Sequence, residues 1–283
     1  MSVEPLEWCR QRVVVPGNPL AISLQFAAPE HRDRILAVRT VATEIAAIPA
    51  TVSDETVARN KLAWWQGAVT SDSEPSHPAV VALHQSGAMN QLDAECWRPL
   101  VQGVEESIEA PRFEQFEQLV AHARRVGGAL NALEYRALEG TEGPDPWERL
   151  GAAGYLFRVI RDLGLDARQG RWLVSLDLQA GFQVDRRQAE EGRNDHRWRG
   201  LVREMLQRTE GLRQAALQDI GPAEGRRQRH LLVFSALDLR LARMLAGRPG
   251  RILDRRLVPG RVGNVLAAWR AAVRANRRAA GSG

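Results

Sequence analysis

Asp162 and Asp166 stand four residues apart in the run Arg161-Asp162-Leu163-Gly164-Leu165-Asp166-Ala167-Arg168-Gln169-Gly170-Arg171, surrounded by guanidinium groups. On a helix this spacing stacks both carboxylates on one face, with roughly 6 Å between their stems. Two carboxylates so placed can share the shell of a hard divalent cation such as Mg²⁺, which keeps several waters and bridges to phosphate oxygens. Arg161, Arg168 and Arg171 would grip the same phosphates with paired N–H donors. The same residues also suit a solvated helix end laced with Asp–Arg pairs. The elements around them must decide between the two.

Those elements read as helices. Ile35, Leu36, Val38, Val41, Ile45 and Ile48 make a broad apolar stripe between Pro29 and Ile48, and Pro49 should stop it. Ser53 or Asp54 can cap the next helix, which carries Leu62, Trp64 and Trp65. Trp64 and Trp65 project about 100° apart, so one belongs in the core and the other on a wall. Further helices are predicted from about Pro78 to Ser86, Gln91 to Ala110 and Arg112 to Glu139. In the last of these, Gly127-Gly128 marks close packing or a kink. The acidic run ends a helix from about Pro146 to Ala167, whose Gly151-Ala152-Ala153-Gly154 admits a close neighbour. A less regular stretch, Trp172 to Val184, would lie over it as a flap. Arg199 to Asp219, Arg226 to Ala246 and Val262 to Arg278 complete an all-α chain without repeat or heptad seam.

The segment from Leu156 to Leu173 resembles the second acidic motif of the squalene/phytoene synthase family. That motif reads approximately Asn-x-x-Arg-Asp-x-x-x-Asp, followed by a small residue and Arg-x-Gly-Arg. Arg59-Asn60-Lys61-Leu62-Ala63-Trp64-Trp65 and His77-Pro78-Ala79-Val80 are similar to two further landmarks of the family. The resemblance runs from about Pro19 to Trp269. It implies a single isoprenoid-synthase-type helical bundle around a central cavity, with a domain at 19–278, an N-terminal extension at 1–18 and a flexible tail at 279–283. It also implies Mg²⁺ on Asp162, Asp166 and Glu44, with Asp162 and Asp166 in the catalytic role. A prenyl diphosphate would then be held by Arg39, Arg158, Arg161, Arg168 and Arg171.

Departures from the family pattern fall on one side of that site. The first acidic motif would lie on Ala37 to Pro49, where only Glu44 is acidic and Ala42, Thr43 and Ala46 replace its carboxylates. Arg158 stands in place of the second motif's Asn, a cation where a neutral ligand is expected. The segment His122 to Gly128 lacks the family's tyrosine. Two functional readings follow. In the first, the chain binds a prenyl diphosphate or isoprenoid lipid through a half-retained site and acts by binding, with a protein partner, as in the complex I assembly-factor branch that its Ala37–Ile48 segment resembles. The alternative is a Mg²⁺-dependent transferase condensing two prenyl diphosphates, a reaction that needs metal, arginines and a dry apolar cavity.

Composition limits the rest. The chain is 44% hydrophobic over 283 residues, enough for one large core, and it is rich in helix formers. Cations are almost all arginine, Lys61 being the only lysine, so single arginines carry little information. A net charge of +5 permits anionic lipid or phosphorylated ligands. The densest basic region runs from Arg251 to Arg278; it reads as a solvated face or a contact to an anionic membrane. Without aromatic–basic interleaving, nucleic acid is not expected. Cys9 and Cys96 lack metal or disulfide spacing, and the six histidines, with no zinc spacing, read as surface or capping residues. An acidic N-terminus without an apolar core, and no long apolar run, point to a cytoplasmic protein that could touch the inner face of the membrane peripherally.

Overall fold

The computed structural model describes residues 3–71 and 75–280, so residues 281–283 of the expected tail lie outside the described residues. The described residues form helices and no strand. In chain order the α-helices are α1 (Pro5–Val13), α2 (Pro19–Ser23), α3 (Arg32–Ala46), α4 (Ile48–Thr51), α5 (Glu55–Thr70), α6 (Pro78–Gln85), α7 (Ala94–Ile108) and α8 (Phe116–Ala123). They continue with α9 (Ala129–Ala137), α10 (Asp145–Arg168), α11 (Leu176–Phe182), α12 (Arg186–Glu190), α13 (His196–Gln218), α14 (Pro222–Arg227), α15 (Arg229–Gly247) and α16 (Arg261–Ala280).

Local chemistry sets many of the starts. Asp54 caps α5 by accepting from the Val57 N–H, Asp93 caps α7 and Asp195 caps α13. His77 caps α6 through Nδ1, which accepts from the Ala79 N–H at 3.2 Å. Trp8, Trp64 and Trp65 surround that imidazole with centroids 4.9–5.7 Å away, and Trp65 is buried while Trp64 is half exposed. The two tryptophans thus divide as their spacing predicts. Pro49 does not end the apolar stripe. It falls in the first turn of the short α4, where its missing N–H costs nothing.

The expected single helix from Arg112 to Glu139 is α8 and α9 joined by a π-helical turn, Arg124–Gly128. The reason is contact with α10. A side chain at Gly128 would come within 2.7 Å of the Glu148 carbonyl, so the two backbones touch. The predicted flap over Trp172 to Val184 contains the helix α11.

α10 runs through the middle of the bundle. It is buried on nearly every side, as a helix must be that packs against α8, α9, α12, α13 and α15 together. α3 packs instead on α1, α6, α7 and α9. The two largest apolar clusters lie one around α3, α5, α6, α7 and α9 and one around α10, α13 and α15. Between them run polar side chains.

Candidate functional site

The polar layer is built from α3, α9, α10 and α15. Arg39 of α3 pairs with Glu134 of α9, and its Nη2 lies 3.4 Å from Asn131 Oδ1. His230 of α15 lies with Nε2 3.1 Å from the second Glu134 oxygen. Arg39, Glu134 and His230 are all buried. Burial alone would raise the Glu134 pKa, but Arg39 and His230 outweigh it and hold the carboxyl below its usual range. Arg158 of α10 donates to Asp238 of α15 at 3.0 Å. Burial raises the Asp238 pKa against the opposing pull of Arg158. Phe234 sits between the two halves, with the Arg39 and Arg158 guanidiniums 5.2 and 5.9 Å from its ring centre.

At the C-terminal end of α10, Asp162 is gripped twice. Arg161 donates from Nε and Nη2 at 2.9 and 2.6 Å, and Arg256 donates from Nε and Nη2 at 2.9 and 3.1 Å. Each carboxylate oxygen therefore accepts from two guanidiniums. Arg256 reaches it because the 251–257 segment lies directly on α10. A side chain at Gly164 would fall within 2.5 Å of the Ile252 carbonyl, and Arg168 Nη1 donates to the Leu253 carbonyl at 2.7 Å. Asp166, one turn further, pairs with Arg171.

These placements answer the sequence-based expectations one by one. Asp162 and Asp166 share the end of α10 with Arg161, Arg168 and Arg171. Arg39 and Arg158 are brought to one aromatic ring, but each has an internal carboxylate partner. Glu44 is elsewhere. Five residues after Arg39 it is turned about 140° around α3, and it pairs with Arg12 of α1, close enough to His77 to act on its charge. In this placement the Glu44 carboxylate has a partner on α1 and none on α10. Among the described residues no group of three His, Cys, Asp or Glu side chains is gathered as a metal site, and Asp162, Asp166 and Glu44 do not form one. Asp162, with its oxygens committed to guanidiniums, does not fit the ion as placed.

Glu134, His230, Asp238 and Arg256 were not picked out from the sequence. A signal existed for the two carboxylates, since Glu134 and Asp238 interrupt the apolar runs Ala129-to-Tyr135 and Leu231-to-Leu241, where an acid is costly unless paired. His122 and His230 also differ from expectation. Both are buried, His122 with Nδ1 2.9 Å from Glu106 Oε2, so they are neither surface nor capping residues.

Comparison with known proteins follows the same lines as the geometry. Phytoene synthase of Arthrospira platensis is 32% identical over 150 residues, covering 47% of this chain and 48% of that protein. The 15-cis-phytoene synthase of Synechococcus elongatus is 28% identical over 149 residues, covering 48% of each. These matches span about half the length of the curated relatives. The fold agrees over nearly the full chain with a dehydrosqualene synthase solved in complex with ligand, at a TM-score of 0.77, 14% identity and coverage of 95% and 96%. It agrees also with squalene synthase HpnC from Alicyclobacillus acidocaldarius, at a TM-score of 0.63, 16% identity and coverage of 96% and 94%. The family's sequence pattern matches residues 17–262, and with the second acidic motif on the central helix of an all-α bundle this chain belongs to the squalene/phytoene synthase family.

Proposed function

We propose that this chain is a divergent family member that acts by binding, taking a prenyl diphosphate or another isoprenoid lipid with an anionic head, and does not condense two diphosphates head to head. The observation that carries this reading is the state of the two acidic motifs. The first has Ala42, Thr43 and Ala46 where carboxylates would be needed, and in the second Asp162 is held by Arg161 and Arg256. Ionising a diphosphate requires charge neutralisation that a fixed monovalent cation supplies only in part. Four guanidiniums, Arg161, Arg168, Arg171 and Arg256, stand against the two carboxylates Asp162 and Asp166, an excess of two positive charges. An anionic head would exchange with Asp162 for the donors of Arg161 and Arg256, and the apolar tail would enter between the helix layers.

Product analysis with farnesyl and geranylgeranyl diphosphates and Mg²⁺ tests the absence of condensation. No squalene, phytoene or cyclopropyl intermediate is expected. Calorimetry with inorganic pyrophosphate tests the binding mode: affinity should persist without Mg²⁺ and in Asp162→Asn/Asp166→Asn, and should fall in Arg161→Gln/Arg171→Gln. Robust product formation would transfer the lead to the Mg²⁺-dependent transferase. That second reading is favoured by the preserved Asp162/Asp166 spacing and by similarity to phytoene synthases.

A further inference from the structure

The C-terminal helix α16 has two faces of different character. Ala268, Ala272 and Ala275 are buried, the first two packing with Val233 and Leu237 of α15. On the turned-out side Val262, Val265, Leu266 and Trp269 follow the i, i+3, i+4, i+7 spacing of a single helical stripe, and all are exposed, from 50% to 77%. Val258, in the preceding loop, is 72% exposed. Five of the ten large apolar side chains exposed among the described residues therefore fall between 258 and 269. Scattered surface hydrophobics need no explanation; a contiguous ridge does.

The charge along this helix has one sign. From Arg261 to Gly283 the sequence carries five arginines and no acid. Beside the ridge, a groove of about 930 Å³ opens between α13, α15 and α16. Leu239, Met244, Leu266 and Ala267 contribute its apolar lining, and no carboxylate borders it. Arg240, Arg243, Arg248, Arg270 and Arg274 also line it and form no ion pair among the described residues. Arg240 has its Nε buried without a hydrogen-bond partner.

We propose that this face docks on the surface of an anionic phospholipid bilayer. The ridge would enter the headgroup–acyl boundary, and the arginines of the groove and of α16 would meet lipid phosphates. A bilayer supplies both complements at once, a plane of negative charge and apolar depth directly beneath it, with a tryptophan at the level where indoles settle. A second copy of the chain would press two unneutralised arginine sets together. A nucleic acid would leave the aliphatic ridge without a partner. The inference stands apart from the proposed prenyl ligand, because it uses none of the residues of that site.

Co-sedimentation tests it, using vesicles of phosphatidylcholine alone and of phosphatidylcholine mixed with phosphatidylglycerol. The protein should pellet with the mixed vesicles, and added salt should release it. Arg270→Gln/Arg274→Gln should weaken partitioning about tenfold or more. Val262→Glu/Trp269→Glu should abolish it while leaving the circular dichroism spectrum and melting temperature unchanged, since both positions are exposed. Val57→Glu, at an exposed apolar residue elsewhere, should partition like the parent. Equal pelleting with both vesicle types, pelleting with neither, or a lipid-free homodimer lost in Val262→Glu/Trp269→Glu would each overturn the proposal.

Discussion

The central polar layer and the C-terminal groove are both rich in arginine, yet they treat it oppositely. In the layer and around Asp162 the cations have carboxylate partners: Arg39 has Glu134, Arg158 has Asp238, and Arg161 shares Asp162 with Arg256. In the groove between α13, α15 and α16 no carboxylate is present. A buried charge is tolerable only when paired and hydrogen-bonded, whereas an exposed one remains solvated at little cost. Pairing thus reflects where the arginine sits, and an unpaired exposed set stays available to an external anion.

The sharpest way to break this comparison is to remove one partner from the layer. Glu134→Ala leaves the Arg39 guanidinium buried and uncompensated and should cost about 3–5 kcal/mol in chemical denaturation. Arg39→Met/Glu134→Leu should recover much of that loss, because the double change removes both charges together. Failure of Glu134→Ala to destabilise would mean that water reaches the layer and the pair behaves as a surface pair.

A change of pH probes the buried His122 and the half-buried His31 and His77. Burial lowers the pKa of His122 against the opposing pull of Glu106, and burial likewise lowers those of His31 and His77. A base depressed in the fold stays neutral while the unfolded chain takes up a proton, so its stability contribution is present above the usual 6.5 and is lost as pH falls. Glu134, also depressed, loses its contribution in the same direction at lower pH; Asp238, raised, acts in the opposite sense. The melting temperature should therefore fall between about pH 7 and about pH 5. His122→Gln should flatten that slope, and an unaltered slope would assign it to other groups.

Arg256→Gln removes a half-exposed partner and leaves Asp162 its pair with Arg161, so the stability change should stay within about 1 kcal/mol. Its informative readout is calorimetric. Pyrophosphate affinity should decrease if Arg256 is a donor to the anion, and an increase would make it a latch that competes with the ligand. The smallest effect is expected in the groove: Arg243→Gln should shift stability by no more than about 0.5 kcal/mol. A larger loss on urea denaturation would show that this arginine has a structural partner and that the two regions differ less than described.

Much of the fold was legible without coordinates, for reasons that can be named. The stripe from Ile35 to Ile48, the Asp54 cap, the paired tryptophans and the small residues before Asp162 are local patterns of spacing 1 to 7, and each acts through its own helix. The α8–α9 break at Arg124–Gly128 was visible only as a possible kink. Its π form depends on how closely α10 approaches, and a residue in another helix sets that.

The sequence by itself determined that the chain is all-helical, that Asp162 and Asp166 share one helix face, and that carboxylates are missing at Ala42, Thr43 and Ala46. Composition and short-range periodicity carry the first two facts, and the resemblance to the family's first acidic motif carries the third. Tertiary structure decided which charges meet. Arg39 and Glu134 are 95 residues apart, Arg158 and Asp238 are 80 apart, and Asp162 and Arg256 are 94 apart. No local spacing relates such pairs. The rotation of α3 sends Glu44 toward Arg12 and Arg39 toward Glu134, and packing of the 251–257 segment on Gly164 brings Arg256 to Asp162. A carboxylate's neighbours fix whether it is a metal ligand or a salt-bridge partner, and in this chain those neighbours arrive from other helices.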